Sequence, residues 1–326
     1  MTALAHRFIE TNGIQMHIAE QGEGPLVLLC HGFPETWYAW RHQFTPLADA
    51  GFRVVAPDLR GYGYTQSPEA IDQYTILNLV DDIVGLLDAL STDQAVIVGN
   101  DWGATLAWHA ALLRPDRFRA VAAFGVPMMG QAPVPPTQFF PQTEDALLYT
   151  LYFQTPGVAE AEFERDIRQT LRKILFGASG DAGPRQENDG TPNPFGMVSR
   201  KDGLLAALPD PVTLPAWLTE ADLDTYTNAY TKSGFRGGLN FYRNLDRNWE
   251  LMGKVDNLHI NVPALYMVGS RDVGLSIPGM RQIIDNMPEL VPDLRKSIVV
   301  PDCGHWIQQE RPEAVNEALL SFLKSL

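Results

Sequence analysis

The residue whose surroundings suggest chemistry most directly is Asp101, in the segment VGNDWGA. It follows an apolar run and precedes a helical pattern, and small residues at Gly99, Gly103 and Ala104 would let a strand and a helix approach closely. The N-terminus of the following helix favours negative charge, so a carboxylate held there could attack carbon and form an ester. The residues alone also allow a simpler interpretation, in which Asp101 only caps the helix.

A second segment with chemical potential is CHGFPE, directly after the first apolar run of the chain. His31 and Gly32 precede a bulky residue and a proline, Phe33 and Pro34, and a turn of this kind can aim a backbone N–H into a site. The N–H of Phe33 and the N–H of Trp102 would together form an oxyanion hole. Taken by itself, the segment also fits an ordinary Gly-Pro turn.

Two further polar residues complete a familiar order along the chain. Asp272 follows the apolar run PALYMVG, and His305 follows SIVVP in the segment DCGHW. A single histidine is more often structural than catalytic. However, a nucleophile at 101, an acid at 272 and a base at 305, each after a predicted strand, form the order expected of an α/β-hydrolase triad. The coincidence of three placements favours the triad over three unrelated residues.

The elements that must position these residues alternate between strand and helix. Short apolar runs bounded by Gly, Pro, Asp or Asn predict strands that are buried on both faces: PLVLLCHG, FRVVAPDL, AVIVGND, VAAFGVP, PALYMVGSRD and SIVVPDCGHW. Helical spacing occurs between them, at Ile76 to Leu90 and in ATLAWHAALLRP, and a last helix is predicted in AVNEALLSFLKSL. This alternation predicts a mostly parallel α/β sheet with helices on both faces.

The middle of the chain has a different character. Residues 127–141 are rich in Pro and Gln, residues 144–176 have helical patterns, and residues 177–196 form a polar Gly/Pro/Asn/Asp stretch that predicts a long loop. Thr219 opens another predicted helix in LTEADLDTYTNAY, and NFYRNLDRNWELM continues the helical pattern. We therefore predict a core domain made of residues 1–129 and 248–326, with an all-helical cap inserted at 130–247.

The composition excludes several classes of function. With 25 basic and 39 acidic residues, the 326-residue chain has a net charge of −14, which argues against binding to nucleic acid or to an anionic membrane. Two cysteines, Cys30 and Cys303, are too few for a disulfide framework or a cysteine-rich zinc site. No apolar stretch approaches the length needed for a signal peptide or a membrane span. These observations predict a cytoplasmic protein.

The chain resembles the soluble epoxide hydrolases of the α/β-hydrolase fold. The matching segments extend over almost the whole sequence, the cap included: HGFPETWYAWRHQ, DLRGYGYT, VGNDWGA, LYFQTPGVAEAE, SGFRGGLNFYRNLDRNW and DCGHWIQQERP. In that family two cap tyrosines hydrogen bond to the epoxide oxygen, and the resemblance assigns this role to Tyr152 and Tyr242. It implies no cofactor and no metal, with a small epoxide and water as the only reactants. The chain departs from many relatives at Asn100 and Ala104, where they have His and Gly.

The mechanism implied is a hydrolysis in two steps. Asp101 attacks an epoxide carbon and forms a hydroxyalkyl ester, and water activated by His305 then hydrolyses that ester while Asp272 orients the imidazole. Phe33, Trp37 and Trp102 are expected to line an apolar substrate site.

Two other functions fit part of the pattern. Haloalkane and fluoroacetate dehalogenases share the elbow and the triad, and the indole N–H of Trp102 could contact a halide. A non-catalytic α/β-hydrolase that binds a small ligand is the second, although the intact Asp/Asp/His set argues against it. The sequence leaves a homodimer open.

Overall fold

The protein is built around one large sheet of eight strands, seen in a computed structural model that describes residues 3–183 and 195–326. The strands occur in the order β1-β2-β4-β3-β5-β6-β9-β10 across the sheet. Their bounds are β1 (Ala5–Thr11), β2 (Ile14–Gln21), β3 (Leu26–Cys30), β4 (Arg53–Pro57), β5 (Ala95–Asn100), β6 (Phe118–Phe124), β9 (Ala264–Gly269) and β10 (Leu294–Val300).

Six of these strands are parallel and correspond to the six apolar runs of the sequence. Strands β3, β4, β5, β6, β9 and β10 pair in parallel, and every residue of β3, β5 and β9 is buried. The continuous apolar runs therefore predicted the six strands correctly. The predicted burial on both faces is wrong for β10, which lies at the edge of the sheet and is mostly exposed.

Strands β1 and β2 form an antiparallel hairpin that the sequence analysis missed. Its two-residue turn is Asn12–Gly13, and both residues have positive φ, +42° and +74°. Asn-Gly favours this type of turn. Most of β1 is exposed, and in β2 the polar residues Gln15 and His17 interrupt the apolar residues, so the hairpin lacks the continuous run that marked the other strands.

Thirteen α-helices lie in the described residues. They are α1 (Phe44–Asp49), α2 (Ile76–Ala89), α3 (Trp102–Leu113), α4 (Pro136–Phe139), α5 (Tyr149–Tyr152), α6 (Val158–Phe163), α7 (Ile167–Ala178), α8 (Glu220–Ser233), α9 (Arg236–Arg243), α10 (Leu245–Met252), α11 (Met280–Asn286), α12 (Ile307–Glu310) and α13 (Pro312–Leu323). Helices α4 to α10 are inserted between β6 and β9. Among the described residues, none of these helices has the length and apolar character needed to cross a membrane.

The insertion is not all-helical, so that part of the prediction was wrong. Two short antiparallel strands, β7 (Ala146–Leu148) and β8 (Met197–Ser199), pair within it. Three residues per strand are too few for alternation to show in the sequence. Residues 177 and 178 of the predicted loop end α7, and residues 184–194 of that loop lie outside the described residues. The predicted boundary at 247/248 falls within α10.

The buried side chains form two clusters, one on each face of the sheet. One cluster includes Phe33 and Trp102 and continues into the insertion through residues such as Phe153 and Phe241. The other lies against α1 and α13 and includes Phe44. Because parallel strands end at the same edge of a sheet, the segments that follow β3, β5, β9 and β10 meet at one edge, where ligand sites of open α/β sheets form.

Candidate active site

Asp101 occupies a strained turn between β5 and α3. Its backbone has φ +55° and ψ −121°, an unusual conformation for a residue with a side chain. A methyl group at Gly99 would lie 2.0 Å from the carbonyl oxygen of Gly103, and one at Gly103 would lie 2.0 Å from the carbonyl oxygen of Cys30. The small residues are therefore required by close packing of strand against helix, and the turn is the sharp elbow expected from the sequence.

The segment after β3 provides a hydrogen-bond donor to this carboxylate. The backbone N–H of Phe33 donates to Oδ1 of Asp101 at 2.8 Å. A methyl group at Gly32 would lie 2.3 Å from the Cβ of Asp101, so only glycine lets the two segments approach this closely. His31 is fully buried, and its Nε2 accepts a hydrogen bond from the N–H of Leu59 at 3.0 Å. It thus ties the turn to the segment after β4.

The other predicted features of the oxyanion hole lie in the same place. Pro34 follows Phe33 through a cis peptide bond. Trp102 is the first residue of α3, so its backbone N–H is one of those that the helix leaves without an internal acceptor.

The predicted base and its partner meet Asp101 at this edge. Nε2 of His305 lies 3.3 Å from Oδ2 of Asp101, and Nδ1 of His305 lies 2.9 Å from Oδ2 of Asp272. The other oxygen of Asp272 accepts a hydrogen bond from the N–H of Gly274 at 2.7 Å. Burial by itself would lower the pKa of His305, but the charges of Asp272 and Asp101 outweigh it and raise that pKa well above its ordinary value.

Two tyrosines of the insertion lie near Asp101. The ring of Tyr242 lies 5.1 Å from the ring of Trp102 and 5.6 Å from the ring of Phe33. The ring of Tyr149 lies 6.1 Å from that of Tyr242. Burial raises the pKa of both hydroxyls, and the negative charge of Asp101 raises both further. Both phenols are therefore held in the neutral form, which can donate a hydrogen bond.

The structure does not bring the hydroxyl of Tyr152 to Asp101. That hydroxyl donates to Oε2 of Glu162 at 2.8 Å, and the two carboxylate oxygens of Glu162 also accept the N–H groups of Leu204 and Leu205. Burial and then Glu162 raise the pKa of Tyr152, with no contribution from Asp101. Tyr152 therefore stabilises the interior of the insertion. Tyr149, three residues earlier, is the tyrosine of α5 that lies near Asp101 and Tyr242.

Trp37 also lies away from the site. Its ring packs 4.7 Å from the ring of His6 and 6.0 Å from that of Phe44. It packs against the cluster on the opposite face of the sheet from Phe33 and Trp102. The prediction that Trp37 lines the substrate site was wrong, because the short 3-10 helix after the turn directs its side chain toward the hairpin of β1 and β2.

A buried carboxylate to which the sequence analysis gave no role lies behind the turn formed by residues 32–34. Glu35 accepts a hydrogen bond from the N–H of Gly32 at 3.1 Å and from the side-chain amides of Gln308 and Gln309, each at 2.8 Å. Burial raises its pKa to about 7, an effect that the N–H of Gly32 and the side chain of Asn100 partly offset. The segments after β3 and after β10 are thereby joined.

Across the described ranges there is no group of three or more metal-ligating side chains.

Comparisons with known proteins agree on the family of proteins that this chain resembles. The family model described as alpha/beta hydrolase fold matches residues 25–312. Epoxide hydrolase A of Mycobacterium tuberculosis is 43% identical and covers 100% of this chain and 99% of its own length. Epoxide hydrolase 3 of Siraitia grosvenorii is 40% identical, with 99% of each chain covered. A solved epoxide hydrolase from an endophytic Streptomyces has a TM-score of 0.92 at 43% identity, covering 98% of this chain and 95% of that one.

The chain therefore belongs to the α/β-hydrolase fold family and, within it, to the epoxide hydrolases. The family resemblance and the fold class predicted from the sequence are confirmed.

Proposed function

We propose that this chain hydrolyses epoxides to vicinal diols through an ester on Asp101. The observation that carries the proposal is the convergence of an ionic Asp101–His305–Asp272 array with two neutral tyrosine hydroxyls, on Tyr149 and Tyr242. A carboxylate can open an epoxide only if the ring oxygen receives a proton or hydrogen bonds as its C–O bond breaks. In this site Asp101 provides the carboxylate, and Tyr149 and Tyr242 provide the hydrogen bonds to the ring oxygen.

In the first step Asp101 attacks a ring carbon. Its Oδ1 is held by the N–H of Phe33, and Oδ2, which lies at a longer distance of 3.3 Å from Nε2 of His305, is the oxygen that attacks. The ring C–O bond breaks, and the developing alkoxide takes a proton from Tyr149 or Tyr242. The product is a hydroxyalkyl ester whose carbonyl oxygen stays beside the N–H of Phe33.

The ester changes the electrostatics of His305. Before alkylation the charges of Asp272 and Asp101 keep the imidazole protonated. Esterification removes the charge of Asp101, so the pKa of His305 falls and its proton can pass to the phenolate left by the first step. A neutral imidazole, held by Asp272, is then available as a base.

In the second step His305 takes a proton from water, and the hydroxide formed attacks Cγ of the ester. The N–H groups of Phe33 and Trp102 stabilise the tetrahedral oxyanion. The ester C–O bond breaks, and the leaving alkoxide takes the proton of the hydroxyl group that was added to Cγ. The diol leaves, and the Asp101 carboxylate and protonated His305 are restored. Net, one water is added to one epoxide.

The tyrosine pair favours an epoxide over a haloalkane as substrate. A halide leaves as an anion and needs no proton, whereas an alkoxide does. The side chain of Trp102, which could contact a halide, lies against the ring of Tyr242 and lowers the pKa of Tyr242 against the larger effect of burial. The aromatic rings of Phe33, Trp102 and Phe153 around the site suit a mostly apolar substrate.

The direct test is turnover of a simple epoxide compared with haloalkanes. We expect the purified protein to convert styrene oxide to its diol and to release no halide from a panel of chloro- and bromoalkanes, measured by chromatography and a halide electrode. An Asp101→Asn variant, checked by mass spectrometry for deamidation back to Asp, is the matched control and should be inactive. Halide release without diol formation would contradict the proposal.

The same proposal places the protein in the cytoplasm. The acidic surface charge of −14 and two buried free cysteines suit the reducing, aqueous environment of the cytoplasm. Size-exclusion chromatography with light scattering will distinguish a homodimer from a monomer.

A further inference from the structure

The last residue of α12, Glu310, is a buried carboxylate that the proposed reaction does not use. It is 5% exposed, and both of its oxygens accept hydrogen bonds from backbone N–H groups. Oε2 accepts from Gly304 at 2.8 Å and from Gly180 at 2.9 Å, and Oε1 accepts from Trp306 at 3.0 Å. All three donors are main-chain groups, so the contacts constrain backbone and not side chains.

These donors come from two separate parts of the chain. Gly304 and Trp306 flank His305 on either side. Gly180 follows α7 and therefore belongs to the insertion between β6 and β9. One carboxylate thus joins the backbone of the base to the insertion.

Three further hydrogen bonds cross the same junction. The N–H of His305 donates to the carbonyl oxygen of Ala178 at 3.0 Å, and the indole of Trp306 donates to that of Leu175 at 2.7 Å. Arg271, next to Asp272, donates to the carbonyl oxygen of Gly180 at 3.0 Å. The segment that carries the base therefore rests on the C-terminal end of α7.

The two backbones touch at this junction. A methyl group at Gly304 would lie 2.2 Å from the nitrogen of Gly180, and one at Gly180 would lie 2.9 Å from the nitrogen of Gly304. Because all three partners of Glu310 are donors, only an acceptor can fill its position. A glutamine there would direct an NH₂ group toward at least one N–H and lose that contact.

We propose that Glu310 is a positioning residue that fixes the backbone of His305 to the insertion, so that alignment of the base requires the insertion to be seated. The inference rests on the proposed role of His305 as the base of ester hydrolysis. Alkylation needs Asp101 and the tyrosines, whereas water attack needs an imidazole held at one place and angle. Loosening this junction should therefore slow the second step more than the first.

The test compares Glu310→Gln with Glu313→Gln, which makes the same chemical change on the exposed surface three residues later. Rapid-quench mass spectrometry with styrene oxide measures ester formation and ester decay separately. For Glu310→Gln we expect decay to fall by about tenfold or more, the effect of losing a hydrogen bond to a charged group. Ester formation should change by less than about threefold, so that the ester accumulates. The control should match the wild type.

Two outcomes would overturn the inference. One is a folded Glu310→Gln variant in which both steps stay within about twofold of the wild type. The other is an equal loss in both steps accompanied by a lower melting temperature, which would mean a structural role only.

A second variant approaches the junction from the opposite side and keeps Glu310 itself. Gly180→Ala forces the insertion away from Gly304, and we expect the same selective slowing of ester decay. If Gly180→Ala changes neither step, or slows both equally, Glu310 does not act through this junction. This variant also decides the matter if Glu310→Gln fails to fold.

Hydrogen exchange separates this inference from the proposed function. In Glu310→Gln the amides of Gly180, Gly304 and Trp306 should exchange at least about tenfold faster than in the wild type, without any substrate present. Unchanged exchange at these amides contradicts the positioning role. A wild-type protein with no epoxide turnover contradicts the proposed function instead, and the exchange result still stands.

Discussion

At the scale of single residues, the selection between Tyr149 and Tyr152 depends on one carboxylate. Both tyrosines belong to α5, one helical turn apart, and both are preceded or followed by apolar residues. Glu162 accepts the hydroxyl of Tyr152 and so removes it from the site, while Tyr149 remains beside Tyr242. The sequence could not reveal this choice, because Glu162 belongs to another helix and its direction depends on packing of the insertion.

This arrangement predicts different effects for three matched substitutions. Tyr149→Phe and Tyr242→Phe should each slow ester formation, by an amount equivalent to about 2–4 kcal/mol in activation free energy, the range for loss of one donor to a developing oxyanion. The double variant should be nearly inactive, and because both donors act on one oxygen the effects should not add simply. Tyr152→Phe is the control and should keep the wild-type rate of ester formation in single-turnover experiments. If Tyr152→Phe is the slow variant, the assignment is reversed.

The pH dependence of ester decay follows from the charges around His305. In the ester the base must be neutral to accept a proton from water, so decay should be constant at high pH and fall about tenfold per unit of pH at low pH. Asp272 raises the pKa of His305, and its removal lowers that pKa. In Asp272→Asn we therefore expect the midpoint of the profile to move to lower pH, along with a slower plateau. A midpoint that moves to higher pH would contradict this electrostatic account.

At the scale of elements, a strand with a continuous apolar run is recognised more readily than one whose apolar residues are interrupted by polar ones. Strands β3, β5 and β9 are buried on both faces, so their apolar runs were visible in the sequence. In the hairpin of β1 and β2 polar residues interrupt the apolar ones, and the Asn12–Gly13 turn was its clearest signal. Strands β7 and β8 have three residues each, and their pairing depends on contacts distant in sequence.

The predicted start of α8 at Thr219 is confirmed, and it supports a stability prediction. The Thr219 hydroxyl accepts the N–H of Asp222, and the N–H of Thr219 donates to the Asp222 carboxylate. The same carboxylate accepts the hydroxyl of Tyr38 in the core domain. Thr219→Ala should therefore lower the free energy of unfolding by about 0.5–2 kcal/mol, as for other helix caps. Thr219→Ser should remain close to the wild type.

Urea unfolding followed by circular dichroism measures both variants. Equal stability of Thr219→Ala and the wild type would mean that the cap contributes nothing to the docking of α8.

At the scale of the whole molecule, the edge of the sheet explains why four distant segments form one site. The segments after β3, β5, β9 and β10 carry Phe33, Asp101, Asp272 and His305, and parallel pairing brings their ends together. The chain order was sufficient to predict that Asp101, Asp272 and His305 would lie together. The contribution of the insertion was less predictable, because it depends on how helices pack over that edge. The error at Trp37 has the same origin, since neighbouring aromatic residues can point to opposite faces of the sheet.

The central claim is that Asp101, and not water, makes the first bond to the substrate. The measurement that tests it most directly is a single turnover of styrene oxide in ¹⁸O-labelled water, with enzyme in excess over substrate. If the ester forms, the oxygen delivered to carbon comes from the carboxylate, so the diol should be largely unlabelled and the label should appear in Asp101, detected by peptide mass spectrometry. Direct attack by water activated by His305 would put the label into the diol on the first turnover. A heavily labelled diol with an unlabelled Asp101 would therefore contradict the account.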